Sequence, residues 1–518
     1  MADSLLTRLP EVFVSKAALS TAVSRGVRDG SLRKIGPRLY TKNLRDTPEE
    51  VVRRHLWEIV SSYYPNAMIA DRTAFELALS SDGSVFLVTD AGSDIVLPGV
   101  RLRPRRGHGR IDGDYPFRDG VWCMSPARAF LENMRPSRAR SGVARTLSRQ
   151  EIERQLEAWL RRSGEDALNQ LRDQIKATAP ILEMEEEARA LDQLIGALLG
   201  TREDTLFSRE GQARREGQPF DPRRIRLFEE LHAALRRLPP EPQKPAPPTG
   251  EGGTVLAFFE SYFSNFIEGT EFAVQEAADI VFRNVIPADR PDDAHDIQGT
   301  FEVVTNATEM RQRPTTAGDL LQLLRHRHQT IMGGRPDKRP GKFKVTGNRA
   351  GSTSFVAPAD VIGTLTEGFA FYRQLDEPFH RAVFMMFLVS EVHPFDDGNG
   401  RLARVMMNAE LVAAKEPRII IPTIYRTNYI QSLKALSLNN SPDPLIRTLA
   451  FAQRYTSLIP WTPFELAWRV LDLTRAFLDP SEADAVGERL RLPSPDQIAE
   501  AEDFVISRGA EEGQPGAS

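Results

Sequence analysis

The chain is poor in the residues that build covalently clipped or metal-clipped scaffolds. It has one cysteine, Cys123, in 518 residues, so no intrachain disulfide forms and a thiolate zinc site is excluded. Its eight histidines are scattered. Only His326 and His328 stand two apart, a spacing that would pair them on one strand face, although solvated histidines in a basic stretch are the ordinary reading. Long apolar runs are also missing: the longest, 382–389, falls far short of the roughly 20 residues that span a bilayer. Residues 1–10 lack the basic-then-apolar pattern of a secretory leader, and the expected compartment is a reducing cytoplasm. No internal repeat is visible, and neither sign of charge dominates. Lys and Arg number 67 against 71 Asp and Glu, a net charge of −4, so charge must be read segment by segment. With 41% hydrophobic and 27% charged residues, the collagenous, mucin-like and disordered classes are excluded.

At about 100–200 residues per domain, the length implies three or four domains. The clearest punctuation is 238–253, LPPEPQKPAPPTGEGG, whose six prolines and three glycines read as a semi-rigid tether with a flexible end. Ahead of it, 46–61 and 126–134 read as helices, and 84–89 and 94–104 as strands. Residues 150–238 carry helical spacing (Ile152, Leu156, Leu160; Ile225, Leu227, Leu231, Leu235). Behind the tether the pattern is nearly all helix, apart from GKFKVTGNRAGSTSFVAP (341–358), which reads as a hairpin. The last dozen residues read as a frayed tail.

Residues 393–404 read HPFDDGNGRLAR. The preceding run RAVFMMFLVSEV (381–392) suits a buried helix, and Pro394 stops it. Gly398 and Gly400 allow a tight loop that turns backbone N–H groups to one point. RLARVMMNAELVAA (401–414) then reads as helix. A glycine loop entering a helix N-terminus is an anion site. Arg401 and Arg404 add charge there. Asp397 supplies a hard oxygen for Mg²⁺, and His393 is a base that titrates near neutrality. Each part alone is ordinary: a Gly-x-Gly turn is usually just a turn, and a histidine at a helix end usually a cap. Together they are the parts of a phosphoryl or nucleotidyl transfer site.

These twelve residues resemble the Fic family signature His-x-Phe-x-Asp/Glu-Gly-Asn-Gly-Arg-x-x-Arg at every defined position. The resemblance implies a protein adenylyltransferase that moves AMP from ATP to a Ser, Thr or Tyr hydroxyl of a target protein, the chain itself included. It implies His393 as the base, Asp397 as the Mg²⁺ ligand, and Phe395 as a buried anchor. Gly398, Asn399 and Gly400 would stabilise the phosphates, and Arg401 and Arg404 would hold the β/γ end. SNFIEG (264–269), on an expected helix 254–268, is similar to the family's inhibitory motif. The resemblance implies that Ser264 docks that helix and that Glu268, followed by Gly269 of the motif, pairs with Arg404 in place of the γ-phosphate; a helix C-terminus with a glycine stop is the plainer alternative. The same glutamate could orient water for the reverse reaction, deAMPylation. Residues 341–358 lie where the family places its target-docking flap. The segment 421–451 is similar to the family's closing segment, with Tyr429, Asn439 and Asn440 as candidates for an adenine pocket.

VFVSKAALSTAVSRGVRDGSLRKIGPRLYTKN (12–43) reads as a short helix capped by Ser15, a second helix ending at Gly30, and two strands around Gly36 and Pro37: helix-turn-helix plus wing. Residues 1–43 hold eight basic and three acidic side chains, a footprint for phosphate contact. With 46–135 behind it, the segment resembles AbiEi-type antitoxins. That implies DNA contacts through Thr21, Ser24, Arg25 and Arg28 in the major groove, and through Arg33, Lys34 and Arg38 on the wing. A winged helix used for protein contact is the plainer alternative. The basic loop 101–110, RLRPRRGHGR, reads either as more nucleic-acid surface or as a solvated loop.

The expected class is a multidomain, mainly α protein. A winged helix-turn-helix (1–45) and an antitoxin-like α/β region (46–140) lead into a helical region (141–238) and a Pro/Gly linker (239–253). An all-α Fic fold with a β-hairpin flap (254–460) follows, then C-terminal helices and the tail (461–518). ATP and Mg²⁺ are the expected cofactors, a hydroxyl-bearing protein and DNA the expected partners, with no membrane and the oligomeric state open. The competing reading is a winged-helix transcriptional regulator whose Fic domain mainly senses nucleotide. A donor other than ATP, such as one carrying UMP, is a third.

Overall fold

The computed structural model describes residues 9–512 other than 91, 140–141, 240–243 and 352. The expected leader-free start and the end of the expected tail lie outside the described residues. The chain forms two compact units, Met1–Gly217 and Gln218–Ser518.

In the first unit, β1 (Val12–Val14), α1 (Ser20–Arg28), β2 (Arg33–Gly36) and β3 (Leu39–Thr41) follow one another, with an antiparallel sheet ordered β1-β3-β2. The expected cap at Ser15 does not form. The short turn before α1 is a 3₁₀ helix, Ala17–Leu19, with Lys16 at its N-cap and no side-chain cap. α1 buries Ala22, Val23 and Gly26. Val12, Ile35 and Leu39 share one core with Val51 and Val52 of α2 (Pro48–Arg54) and Ile59 and Val60 of α3 (Leu56–Tyr63). The expected boundary at 45 is therefore absent, because the small sheet has too little apolar surface to bury without its neighbours.

The larger sheet is mixed. It joins β4 (Met68–Ile69), β5 (Ser84–Val88), β6 (Ile95–Leu97), β7 (Val100–Arg105), β8 (Tyr115–Pro116) and β9 (Trp122–Cys123) in the order β6-β7-β5-β4-β9-β8. The expected strand 94–104 breaks in two where Gly99 takes a φ of +68°. Ala127, Phe130 and Leu131 of α4 (Pro126–Asn133) pack with α5 (Arg149–Leu182) and α6 (Glu185–Leu198), so 140 is not a boundary either.

The second unit is helical. The elements around the site are α7 (Pro222–Arg236), α8 (Gly250–Ile267), α9 (Pro291–Thr305), α10 (Ala317–Ile331), α11 (Val361–Tyr372), α12 (Pro378–Val392), α13 (Asn399–Ala414), α14 (Arg426–Asn439) and α15 (Asp443–Leu458). α12 is buried on nearly every side, from Phe379 through Val392, the pattern of a central helix. It packs along α13, and α7 and α11 flank it.

Two expectations about the proline-rich stretch need correction. First, the unit boundary falls at Gly217 and not in 239–253. α7 has Asp221 at its N-cap and buries Leu227, Phe228, Leu231 and Leu235. The Phe228 ring lies 6.1 Å from Phe384 and 6.0 Å from Phe387 on α12. Second, the described part of the stretch is packed. Lys244 pairs with Glu416 at 3.2 Å and sits 4.9 Å over the Phe379 ring. Pro245–Pro248 line a 150 Å³ cavity with Leu256 and Trp461. α8 begins at Gly250, four residues before the expected start; buried Gly252 fits against Pro248 and Trp461, where a side chain would crowd.

The expected hairpin 341–358 reduces to β10 (Arg349–Ala350) and β11 (Thr353–Ser354). Ahead of it, Lys344 and Asn348 give donors to the loop after α12 instead of to a partner strand. Among the described residues, no helix is long and apolar enough to cross a membrane.

If α7 belongs to the second unit, a fragment of residues 218–512 should unfold cooperatively in urea. A fragment of 254–512, cut at the expected linker, should lose cooperativity, because its missing helix leaves the Phe384 and Phe387 faces unpacked. Phe228→Ala alone should cost about 3–5 kcal/mol in the same measurement.

Candidate active site

The loop between α12 and α13 is set by two residues in left-handed backbone. His393 caps α12 at φ +52°, its N–H on Val389 O at 2.9 Å. Gly398 caps the N-terminus of α13 at φ +70°, and a Cβ there would lie 2.5 Å from Met332 Sδ. The first N–H groups of α13, from Asn399 to Arg401, have no carbonyl a turn earlier in their own helix, which leaves an anion-binding end.

His393 Nδ1 lies 3.2 Å from Ser390 O. A carbonyl only accepts, so Nδ1 carries the proton and Nε2 keeps the lone pair. The ring stacks on Phe355 at 3.7 Å and 5°. Burial pushes its pKa down to about 4, opposed by the Ser390 bond and reinforced by the Lys344 charge. The imidazole is neutral at pH 7 and free to accept a proton.

Asn399 does not face a phosphate. Its Oδ1 accepts the Phe395 N–H at 2.8 Å and its Nδ2 donates to Phe395 O at 2.9 Å. Its side chain therefore closes the loop from inside, and only its backbone N–H belongs to the anion site. Phe395 is fully buried. His328 braces the loop from a neighbouring helix, contrary to both sequence readings of the 326/328 pair. His328 lies on helix α10, not on a strand, so the two-residue spacing sends His326 outward and His328 into the core. The His328 ring stacks on Phe395 at 3.7 Å and 6°. Gly341 N–H donates to its Nδ1 at 2.9 Å, which leaves Nε2 to donate to Asp397 O, also at 2.9 Å.

The cationic side chains converge on α8 and α9. Arg404 donates through Nε to Ser264 Oγ at 3.0 Å and through Nη2 to Ser264 O at 2.8 Å. The same Nη2 pairs with Glu268 Oε1 at 2.7 Å. The Glu268 carboxylate lies against the first turn of α13, where a Cβ on Gly400 would collide with it. Gly269 follows at φ +94° and ends the helix. Arg401 is turned to a partner that sequence reasoning missed, Asp296 on α9, at 2.7 Å, and to Asn265 Oδ1 at 3.3 Å. Asp296 also pairs with Arg335 at 2.8 Å.

Asp397 Oδ1 accepts the Gly398 N–H at 2.7 Å. Among the described residues, no group of three or more His, Cys, Asp or Glu side chains gathers as a metal cage. The lone Asp397 carboxylate fits Mg²⁺ where phosphate oxygens complete the shell, the usual mode for that ion.

The three adenine-pocket candidates do not form one pocket. Tyr429 is fully buried in α14, its ring 5.9 Å from the Arg404 guanidinium and its hydroxyl on Met386 Sδ at 3.4 Å. Asn439 and Asn440 are exposed at the far end of the same helix, where Asn440 forms the left-handed cap.

In the first unit, Thr21, Ser24, Arg25 and Arg28 are exposed on α1, as are Lys34 and Arg38 near the β2–β3 turn. Arg33 is turned inward, to Asn43 O at 3.0 Å and Asp46 O at 2.5 Å, which removes it from the expected contact set. The loop 101–110 is largely engaged within the unit. Arg105 pairs with Asp71 at 2.8 Å, Arg103 with Asp82 at 3.6 Å, and Arg110 lies 4.1 Å over Trp122.

Burial pushes His328 down from 6.5 to about 4, opposed by the Asp397 bond and helped by Arg401. The unfolded chain therefore takes up a proton that the folded one refuses as pH falls from 6.5 toward 4, and stability drops in that window. His328→Phe keeps the stack and removes both nitrogens. It should lower stability by about 1–3 kcal/mol at pH 7 and flatten the fall in melting temperature below pH 6.5.

Residues 319–411 match the model of the Fic/DOC family. The chain is 27% identical over 263 residues to Protein adenylyltransferase Fic of Drosophila willistoni, covering 48% of this chain and 50% of that protein. It is 29% identical over 136 residues to Protein adenylyltransferase fic-1 of Caenorhabditis briggsae, covering 26% of each. Thus the chain spans about half the length of the curated Drosophila relatives it matches. Among solved structures, Fic-1 from C. elegans aligns with a TM-score of 0.34 at 18% identity, covering 59% of this chain and 93% of that one. The stretch that carries the loop between α12 and α13 holds the twelve-residue signature and matches the Fic/DOC family model over 319–411.

Proposed function

We propose that the second unit is a protein adenylyltransferase. It moves AMP from ATP to a Ser, Thr or Tyr hydroxyl of a target protein, with the chain itself one candidate. The observation that carries this reading is the His393 imidazole, whose Nε2 keeps its lone pair, on the same loop that leads into a glycine-bounded helix N-terminus. The similarity of the chain to proteins named adenylyltransferase supports the same reading.

In the proposed reaction Nε2 of His393 takes the proton of the target hydroxyl. The oxygen attacks the α-phosphorus of ATP, a P–O bond forms to the target, and the bond to the β-phosphate bridging oxygen breaks. Pyrophosphate leaves, held by the first-turn N–H groups of α13 and by Arg404. Arg401, locked to Asp296, acts as a fixed positive charge beneath that end. Mg²⁺ held by Asp397 and the phosphates would supply charge neutralisation. A base with its pKa near 4 is unprotonated throughout the neutral range, so transfer should hold as pH falls through 6.5, where an ordinary histidine is half protonated.

Glu268 is the brake in this scheme. Its carboxylate occupies the Arg404 guanidinium and the N-terminal turn of α13, the two features that would hold the terminal phosphates. The same carboxylate could orient water in the reverse reaction. The donor base is open: the buried Tyr429 and the distant Asn439 and Asn440 do not read it.

Glu268→Gly protein incubated with ATP and Mg²⁺ should gain the mass of AMP, wild type should gain little, and Glu268→Gly with His393→Ala should gain none. Equal incorporation in wild type and Glu268→Gly removes the brake, and label in the His393→Ala protein removes the base. No added mass with any nucleoside triphosphate tested would move the weight to the regulator reading.

We further propose that α1 reads DNA. Thr21, Ser24, Arg25 and Arg28 all face solvent on a helix whose other side is buried, with Lys34 and Arg38 exposed beside them. Arg25→Glu with Arg28→Glu should abolish the gel shift of the gene's own upstream DNA while leaving the circular dichroism spectrum unchanged. Equal shifts would overturn α1 as the DNA-reading element.

A further inference from the structure

Where the chain leaves α12, four consecutive carbonyls accept hydrogen bonds from one short segment. Lys344 Nζ donates to Val392 O at 3.3 Å. Asn348 Nδ2 donates to Phe395 O at 2.8 Å and reaches His393 O at 3.5 Å. The Lys344 backbone N–H donates to Pro394 O at 2.9 Å. Lys344 Nζ also donates to Asn348 Oδ1 at 2.7 Å, so the two gripping side chains hold each other. The clasp is anchored behind. Phe355 N–H returns to Asn348 O at 3.2 Å, and the Phe355 ring covers the imidazole face. Arg224 of α7 donates to Ser354 O at 2.6 Å and is ion-paired with Glu391 on α12.

Lys344 is 3% exposed. A buried lysine carries a desolvation cost that an apolar side chain of similar length avoids. Its cation sits at the C-terminal end of α12, where carbonyls lack intrahelical donors and the helix dipole is negative. His393 needs such support, because a non-glycine residue rarely holds a positive φ. Asn348 serves the alternate carbonyls, those of His393 and Phe395, without charge.

We propose that Lys344 and Asn348 are positioning residues for His393: they fix the four carbonyls from 392 to 395, so that Nε2 keeps one aim, and the Lys344 ammonium tunes the imidazole from behind. This rests on the adenylyltransferase reading for its kinetic consequence but not for its electrostatic one. The charges facing His393 are Lys344, Glu268 and Asp397. Those facing Lys344 are Arg224 and Asp396, and burial, with Arg224, pushes Lys344 down to about 7. Removing the Lys344 charge takes away the cation that opposes protonation and leaves carboxylate charge, Asp397 alone once Glu268 is replaced, so the imidazole pKa rises.

The test uses the full chain in the Glu268→Gly background, with ¹³C-labelled histidine assigned by His393→Ala. Lys344→Met should move the His393 titration midpoint up by about half a unit or more, and Lys344→Arg should hold it near the parent value. Asn348→Ala should leave the midpoint in place. Both Lys344→Met and Asn348→Ala should lower kcat for nucleotide transfer by about ten- to a hundredfold with KM for ATP unchanged. A folded Lys344→Met protein with an unmoved midpoint overturns the electrostatic half. Should Lys344→Met fail to fold, Asn348→Ala decides, and an unchanged kcat overturns the clasp. If the parent transfers no nucleotide at all, the adenylyltransferase reading falls, and the titration alone judges the proposal.

Discussion

The second unit depends on one constraint: the chain must reverse between two buried helices without stranding its backbone. α12 and α13 are both almost wholly inside, so the loop joining them cannot give its carbonyls to bulk water, and each unmet group would cost free energy. The carbonyls from Val392 to Phe395 go to Lys344 and Asn348, Phe395 O also to Asn399, and Asp397 O to His328. The acceptors are thus consumed behind the loop, and the first-turn N–H groups of α13 are left facing the other way. In the proposed reaction that asymmetry is what makes a connection between helices an anion site.

An anion site of this kind attracts any carboxylate within reach, and α8 brings one. Arg404 is held by both the hydroxyl and the carbonyl of Ser264, so the guanidinium keeps its place whether or not Glu268 is there. Glu268 is the exposed end of the arrangement, with Gly269 releasing the chain directly after it. In the proposed brake the guanidinium is the fixed member and the Glu268 carboxylate, the more exposed of the two, the displaceable one. The differential contact a phosphate must overcome is one ion pair and the helix-end interaction. Arg401 differs in kind. Its pairing with Asp296, itself bound to Arg335, lies within a buried network, so it contributes a standing charge and not a movable ligand.

How much of this was legible follows from how it is distributed along the chain. The reactive loop is contiguous, so its turn residues, base, carboxylate and arginines could be read together from 393–404, and Glu268 could be read from a six-residue pattern. The supporting side chains are single residues of common types, spread over 296, 328, 344 and 348, and no local pattern marks them. His328 was visible but misread: a two-residue spacing means one face on a strand and nearly opposite faces on a helix, and α10 buries the second histidine while exposing the first. The resemblance makes Asn399 a phosphate ligand; that its side chain points inward is fixed by the backbone of Phe395, which the sequence does not display. The adenine candidates failed for a similar reason, since Tyr429 and the Asn439–Asn440 pair sit ten residues apart on a straight helix.

The proline-rich stretch misled more consequentially. Proline and glycine report that a segment cannot be regular helix or central strand, not that it is free, and the prolines at 245–248 lie against Leu256 and Trp461. Their packing lets α7, which precedes them, belong to the unit that follows. Its Arg224 reaches both Glu391 on the helix that presents His393 and the carbonyl of Ser354 in the short hairpin. The buried Glu391 also accepts from Ser437 at the end of α14. A helix outside the residues that carry the family signature is thereby tied to both walls of the site. The pair joins the aromatic contact of Phe228 with Phe384 and Phe387 in tying α7 to α12, and because Glu391 has its other oxygen committed and Arg224 is itself buried, neither can swing to water without stranding the other.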